Sequence, residues 1–181
     1  YVDRILGDYL ERLEAALADE GVHADELTMM LSHGGLASFA EATETAAHTL
    51  LSGPAAGVQG ALFAADLAGY ADVVTMDMGG TSCDVAIAPG GEAIETTEAE
   101  FSGNPVSVPM ADVRAIGAGG GTLARVAGGR LQVGPESAGA DPGPVCYGRG
   151  GETPTVTDAN AVLGRLNPAA ILGGGLEVAL Q

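Results

Sequence analysis

The chain has 181 residues with 24 acidic and 7 basic side chains, a net charge of −17, and every basic residue is an arginine. An apolar fraction of 46% over that length suffices for one compact domain with a real core and argues against a disordered tail. The charge would repel phosphate backbones and leaves nucleic-acid binding without electrostatic support, while the lack of lysine removes Walker-type P-loops, Schiff-base chemistry and lysine-adenylate nucleophiles.

Acidic surface with arginine in place of lysine suits a cytosol of high salt, with an acidic mesophile as the other reading. Cys83 and Cys146 lie far apart and outside any C-x-x-C pair, which argues against a disulfide framework or a zinc site and for reduced thiols. His23, His33 and His48 lack the spacing of a metal-binding helix. No signal sequence opens the chain and no apolar run has membrane-spanning length, so the expected setting is the cytoplasm with no membrane partner. The chain opens inside what reads as a helix and stops at Gln181 without a polar terminus, as a piece of a longer protein would.

In chain order, Val2, Ile5, Leu6, Tyr9, Leu10, Leu13 and Leu17 recur at helical spacing, and Gly21 reads as the cap that ends this amphipathic helix. Leu27 to Leu31 reads as a buried strand leading into the turn Ser32-His33-Gly34-Gly35. Ser52-Gly53-Pro54 predicts the start of a second helix running from about Pro54 to Leu67. Its small residues, Gly57 and Gly60 among them, predict close approach to a sheet. Val73 to Met78 reads as a strand, Gly79 to Ser82 as a tight turn, and Asp84 to Ala88 as the returning strand, with Pro89-Gly90-Gly91 leading into a third. Further strands are expected at Val113–Gly117, Thr122–Val126 and Arg130–Val133, then a glycine-dense loop over Gly134–Gly151 and a short helix after Thr157-Asp158. No internal repeat or linker divides the chain, so one domain is expected.

Three segments carry candidate chemistry. In Asp77-Met78-Gly79-Gly80-Thr81-Ser82-Cys83-Asp84 the glycines let backbone N–H groups approach an anion, the hydroxyls of Thr81 and Ser82 add donors, and Asp77 can face a metal-bound phosphate or orient a water. The alternative is an ordinary hairpin whose glycines serve the turn. Ile116-Gly117-Ala118-Gly119-Gly120-Gly121-Thr122 fails the dinucleotide fingerprint because Thr122 stands where its last glycine belongs. It suits a loop lying against a flat ligand or another backbone, the alternative being a flexible turn. The third segment, Gly134 to Gly148 followed by Thr155-Val156-Thr157-Asp158-Ala159-Asn160, reads as an ordered loop of special backbone conformations. There Asp158 is either functional or a first-turn helix acid, and Cys146 either a nucleophile or a packed core residue.

Taken together, Leu51-Ser52-Gly53-Pro54-Ala55-Ala56-Gly57 and these segments, in this order between about Leu27 and Leu166, resemble the hydantoinase A / 5-oxoprolinase family. The resemblance implies an α/β fold, a ribonuclease H-like lobe of the actin, Hsp70 and sugar-kinase ATPase type, with a mixed sheet and flanking helices. It further implies that residues 1–181 are a single hydantoinase A-type domain fragment, the second lobe, with the first phosphate loop outside this chain. ATP and Mg2+ are the implied cofactors. Asp77 would act on the metal or a water, Gly79, Gly80, Thr81, Ser82 and Asp84 on phosphate, and Gly117, Gly119, Gly120 and Gly121 near adenosine. His33, Asp141, Cys146, Tyr147 and Asp158 are the candidate substrate residues. The family chemistry is opening of a small cyclic amide through a phosphorylated amide oxygen, with a B-type hydantoinase subunit or domain as partner. Alternatives are the ATP-using subunit of an acetone-type carboxylase and a non-catalytic actin-like ATPase scaffold. The family more often has threonine where this chain has Cys83.

Overall fold

The computed structural model describes residues 2–101 and 103–167. Its elements are helices and short strands, and the described residues fall into two compact units, one within 2–75 and 85–114, the other within 76–84 and 115–167. The architecture is mixed α/β with flanking helices, as the sequence leads one to expect.

In the first unit α1 (Val2–Asp19) is the amphipathic helix that the apolar spacing requires. Gly21, at φ 78°, ends it, with Val22 N–H returning to the Leu17 carbonyl. Leu10, Ala37 and Ala42 form a buried cluster against which Leu6, Leu13, Met29, Leu31 and Phe39 pack, and full burial of a side chain such as Leu10 is worth about 1.5–3 kcal/mol. β1 (Thr28–Met30) pairs antiparallel with β2 (Leu36–Ser38), placing Met29 opposite Ala37. Ser38 then caps α2 (Phe39–Glu44), its hydroxyl accepting from Glu41 N–H while the Glu41 carboxylate accepts from Ser38 N–H, which closes a capping box.

Fully buried Ser32 fastens the turn after β1 to three later points in the chain. Its N–H donates to the His48 carbonyl, its hydroxyl accepts from Leu51 N–H, and its carbonyl accepts from Ala111 N–H. α3 (Ser52–Leu67) starts before the expected Pro54, because a proline inside the first turn forfeits only an N–H that has no intrahelical partner there. The expected close packing at Gly57 and Gly60 is not found: a Cβ at either would stand in open space.

The chain continues through β3 (Val73–Met78) and β4 (Cys83–Ala88). Pro89-Gly90-Gly91 forms a 3-10 turn held by Asp72, whose carboxylate accepts from Gly90 N–H. It does not lead straight into the sheet's third strand. Four short strands intervene: β5 (Glu95–Thr96) pairs with β8 (Met110–Ala111), and β6 (Ala99–Phe101) with β7 (Asn104–Val106). β9 (Val113–Ile116) then completes the order β3-β4-β9.

In the second unit β10 (Thr122–Ala127) and β11 (Arg130–Ser137) form an antiparallel hairpin. Its two-residue turn, Gly128-Gly129 at φ 58° and 73°, needs positive φ at both positions, which glycine supplies without strain. β11 runs to Ser137, past the expected Val133, so part of the glycine-dense loop is strand. A 3-10 turn at Val145–Tyr147 precedes α4 (Val156–Val162), which Thr155 caps.

Candidate functional site

The β3–β4 turn is closed by one backbone bond, from Gly79 N–H to the Ser82 carbonyl at 2.9 Å. Among the described residues, the next three N–H groups, of Gly80, Thr81 and Ser82, meet no acceptor. Gly80 and Thr81 are exposed, as is Asp77 at the end of β3, while Asp84 is half-buried and Cys83 buried. Successive unpaired amides with two hydroxyls and a nearby carboxylate make a donor set for an anion together with a ligand for its counter-cation.

The glycine loop lies directly under this turn. Gly120 N–H donates to the Gly79 carbonyl at 2.9 Å and Gly121 N–H to the Gly80 carbonyl at 2.6 Å. Gly119 N–H donates to the Thr122 hydroxyl at 2.7 Å, and Thr122 is 1% exposed. A Cβ on Gly119 would stand 2.6 Å from backbone atoms of Gly80 and Thr81, and one on Gly121 would stand 2.9 Å from the Ser137 hydroxyl and 3.0 Å from the Gly80 carbonyl. Of the readings of this loop, contact with another backbone is the one its geometry displays; Gly117 stands exposed in open space.

Helix α4 supports the loop in turn. Thr157 N–H donates to the Gly120 carbonyl at 2.8 Å, and a Cβ on Gly120 would meet the Thr157 hydroxyl at 2.6 Å. Asp158 completes a capping box with Thr155 and also reaches outward. Its carboxylate accepts from the N–H groups of Thr155 (2.7 Å), Cys146 (2.7 Å) and Val145 (3.2 Å) and from the Thr155 hydroxyl (2.8 Å). Burial opposes its ionisation, but the Cys146 N–H and thiol and the Thr155 donors outweigh that and hold its pKa below the usual value. The first-turn acid reading of Asp158 is thus what the geometry displays.

Burial, reinforced by the Asp158 carboxylate, pushes the Cys146 thiol up to about 12. It is therefore a protonated, packed thiol rather than a thiolate nucleophile. Both residues border an open, mostly apolar cavity of about 700 Å³, with Ala124, Leu131, Val145 and Val162 along its walls. That volume falls in the range of small-molecule pockets.

The remaining candidate residues are dispersed. Asp141 is exposed in the loop after β11 and Tyr147 is half-buried in the 3-10 turn. His33 belongs to the first unit, where its Nδ1 is buried without a hydrogen-bond partner among the described residues. No group of three or more metal-ligating side chains converges among the described residues. Sequence reasoning missed Thr122, Ser137 and Thr157 as supports of the turn. The signal for Thr122 was its place directly after a glycine run, where a hydroxyl can accept from the loop's own backbone.

The fold is that of a mixed α/β protein with flanking helices, and comparison with known proteins gives the family. The Hydantoinase/oxoprolinase family model matches residues 1–179, and the chain belongs to that family. It is 43% identical over 182 residues to the caprolactamase subunit alpha of Pseudomonas jessenii, covering 100% of this chain and 26% of that subunit. The crystal structure of the ATP-dependent caprolactamase from Pseudomonas jessenii superposes with a TM-score of 0.78 at 42% identity, over 99% of this chain and 26% of that one. The nucleotide-free structure of acetone carboxylase, an enzyme of ATP-dependent acetone carboxylation, gives a TM-score of 0.72 at 34% identity, over 95% and 24%. The chain thus spans about a quarter of the length of these relatives.

Proposed function

We propose that the protein bearing this chain is an ATP-dependent hydrolase that opens a cyclic amide at its C–N bond. In this reading residues 1–181 form one hydantoinase A-type domain, the second, ribonuclease H-like lobe of an actin-like ATPase module. The observation that carries it is the β3–β4 turn, whose Gly80, Thr81 and Ser82 amides meet no acceptor among the described residues while its Gly79 and Gly80 carbonyls are held by the glycine loop. Relatives named as ATP-dependent support ATP as the cofactor.

The residues present fit a polyphosphate with a divalent cation. Unpaired N–H groups and the hydroxyls of Thr81 and Ser82 suit phosphate oxygens, and the exposed Asp77 carboxylate suits Mg2+, which needs only one or two protein ligands when phosphates supply others. Bound ATP would supply the phosphoryl group that makes an amide carbon open to attack by water. The turn's own task is to hold the phosphates in line, and Asp77 would hold the metal or orient the water. The apolar cavity beside Cys146 and Asp158 suits an uncharged ring, with Asp141 and Tyr147 in the same unit. A B-type hydantoinase subunit or domain is the proposed partner and the cytoplasm the proposed setting, in keeping with two free, buried cysteines.

A second reading, the ATP-using subunit of a ketone carboxylase, is favoured by the likeness to acetone carboxylase. Assaying the whole protein for ATP turnover with a hydantoin, 5-oxoproline, a lactam, and acetone plus bicarbonate separates the two. Asp77→Asn is expected to abolish substrate-dependent ATP turnover; turnover equal to wild type would contradict the role given to Asp77.

A further inference from the structure

The glycine loop does more than fill space beneath the turn. A trans peptide is planar, so the carbonyl of one residue and the N–H of the next point in opposite directions. The Gly79 carbonyl is drawn toward the loop by Gly120 N–H and the Gly80 carbonyl by Gly121 N–H, at 2.9 and 2.6 Å. These two bonds fix the planes of the 79–80 and 80–81 peptides. The N–H groups of Gly80 and Thr81 must then face away from the loop, toward the exposed side of the turn.

The loop's amides from Ala118 to Thr122 cannot serve the same anion. Those of Ala118, Gly119, Gly120, Gly121 and Thr122 all donate within the protein, to the Ile116 carbonyl, the Thr122 hydroxyl, the Gly79 and Gly80 carbonyls, and the Gly119 carbonyl. We propose that Gly119, Gly120 and Gly121 are positioning residues that aim the Gly80 and Thr81 amides at a polyphosphate. This rests on the reading of the β3–β4 turn as a phosphate site. Glycine is needed at all three positions because each Cβ would press on the turn or its supports, but the obstacles differ. At Gly119 the obstacle is turn backbone, which cannot yield without moving the amides; at Gly120 it is the Thr157 hydroxyl, a side-chain atom that can be removed.

The test is an amide-resolved NMR titration of the chain with inorganic tripolyphosphate, in the presence and absence of Mg2+. In wild type the Gly80 and Thr81 signals are expected to shift most. Gly119→Ala, with its β10–β11 signals intact, is expected to bind at least about tenfold more weakly, as misdirecting one charge-assisted bond would cause. Gly120→Ala should weaken binding too, and Gly120→Ala with Thr157→Ala should restore it. Wild-type titration without any shift at Gly80 or Thr81 would refute the phosphate site itself. A normal wild-type response with undiminished affinity in Gly119→Ala would overturn the positioning role alone. If Gly119→Ala does not fold, the Gly120 pair decides: loss in the single variant with recovery in the double supports the proposal, and any other pattern overturns it.

Discussion

Two glycine segments of the second unit use the same residue for opposite ends. At Gly79-Gly80 the backbone is exposed, a Cβ would find open space or ordinary contact, and the amides of Gly80, Thr81 and Ser82 meet no acceptor among the described residues. At Gly119–Gly121 the outer two glycines are buried, every amide is paired, and every Cβ would collide. The first segment presents donors and the second permits contact between two backbones. A glycine run in a sequence therefore marks either end of such a pair, and only its partner tells which.

The contrast predicts a graded series of stability effects, measurable by urea unfolding. Gly119→Ala should show the largest, because overpacking against backbone costs about 1–3 kcal/mol and the atoms it meets cannot rotate aside. Thr122→Val should come next at about 1–2 kcal/mol, since it leaves the buried Gly119 N–H without its acceptor. Asp158→Asn should cost about 1 kcal/mol by weakening bonds that join Val145 and Cys146 to the start of α4. The Asp158 effect carries a pH signature. Its folded pKa is lowered, so its contribution is present above its ordinary value of 3.8 and disappears as pH falls through the lower folded value. The gap between wild type and Asp158→Asn should accordingly close in strong acid. Gly80→Ala should show the smallest effect, within about 0.5 kcal/mol, because neither space nor φ opposes a methyl group there. A Gly80→Ala cost equal to that of Gly119→Ala would erase the distinction between the two segments.

The two capping boxes sharpen the same lesson about context. Glu41 is held below the ordinary carboxylate value by the Ser38 N–H and hydroxyl alone, and its box remains a local device. Asp158 occupies the equivalent position, yet also accepts from Val145 and Cys146 across a loop. Both boxes join residues three apart in the chain; the reach of the second depends on the tertiary fold.

Much of the backbone was legible for the same local reasons. The apolar stripe of α1, the β3–β4 turn at Gly79–Ser82, and the β10 and β11 strands arise from periodicity and turn chemistry. The features that were not legible depended on distant partners. The strand completing the β3-β4-β9 sheet comes after four short strands rather than directly after Pro89-Gly90-Gly91. Gly57 and Gly60 face open space although their spacing suggested a packed helix face. The site shows the same division. Asp77 and the Gly79–Ser82 turn could be singled out from sequence, but the bonds from Gly120 and Gly121 that orient it join residues far apart in the chain, and no local pattern records them.

The central claim is that the Gly80 and Thr81 amides receive phosphate while the glycine loop holds them in place. A crystal structure of the whole protein with a non-hydrolysable ATP analogue and Mg2+ tests it most directly. Phosphate oxygens are expected within about 2.7–3.2 Å of the Gly80 and Thr81 nitrogens, with the Gly120 and Gly121 amides still bonded to the Gly79 and Gly80 carbonyls. Phosphates seated against the amides of Gly119–Gly121, or away from the β3–β4 turn altogether, would contradict it.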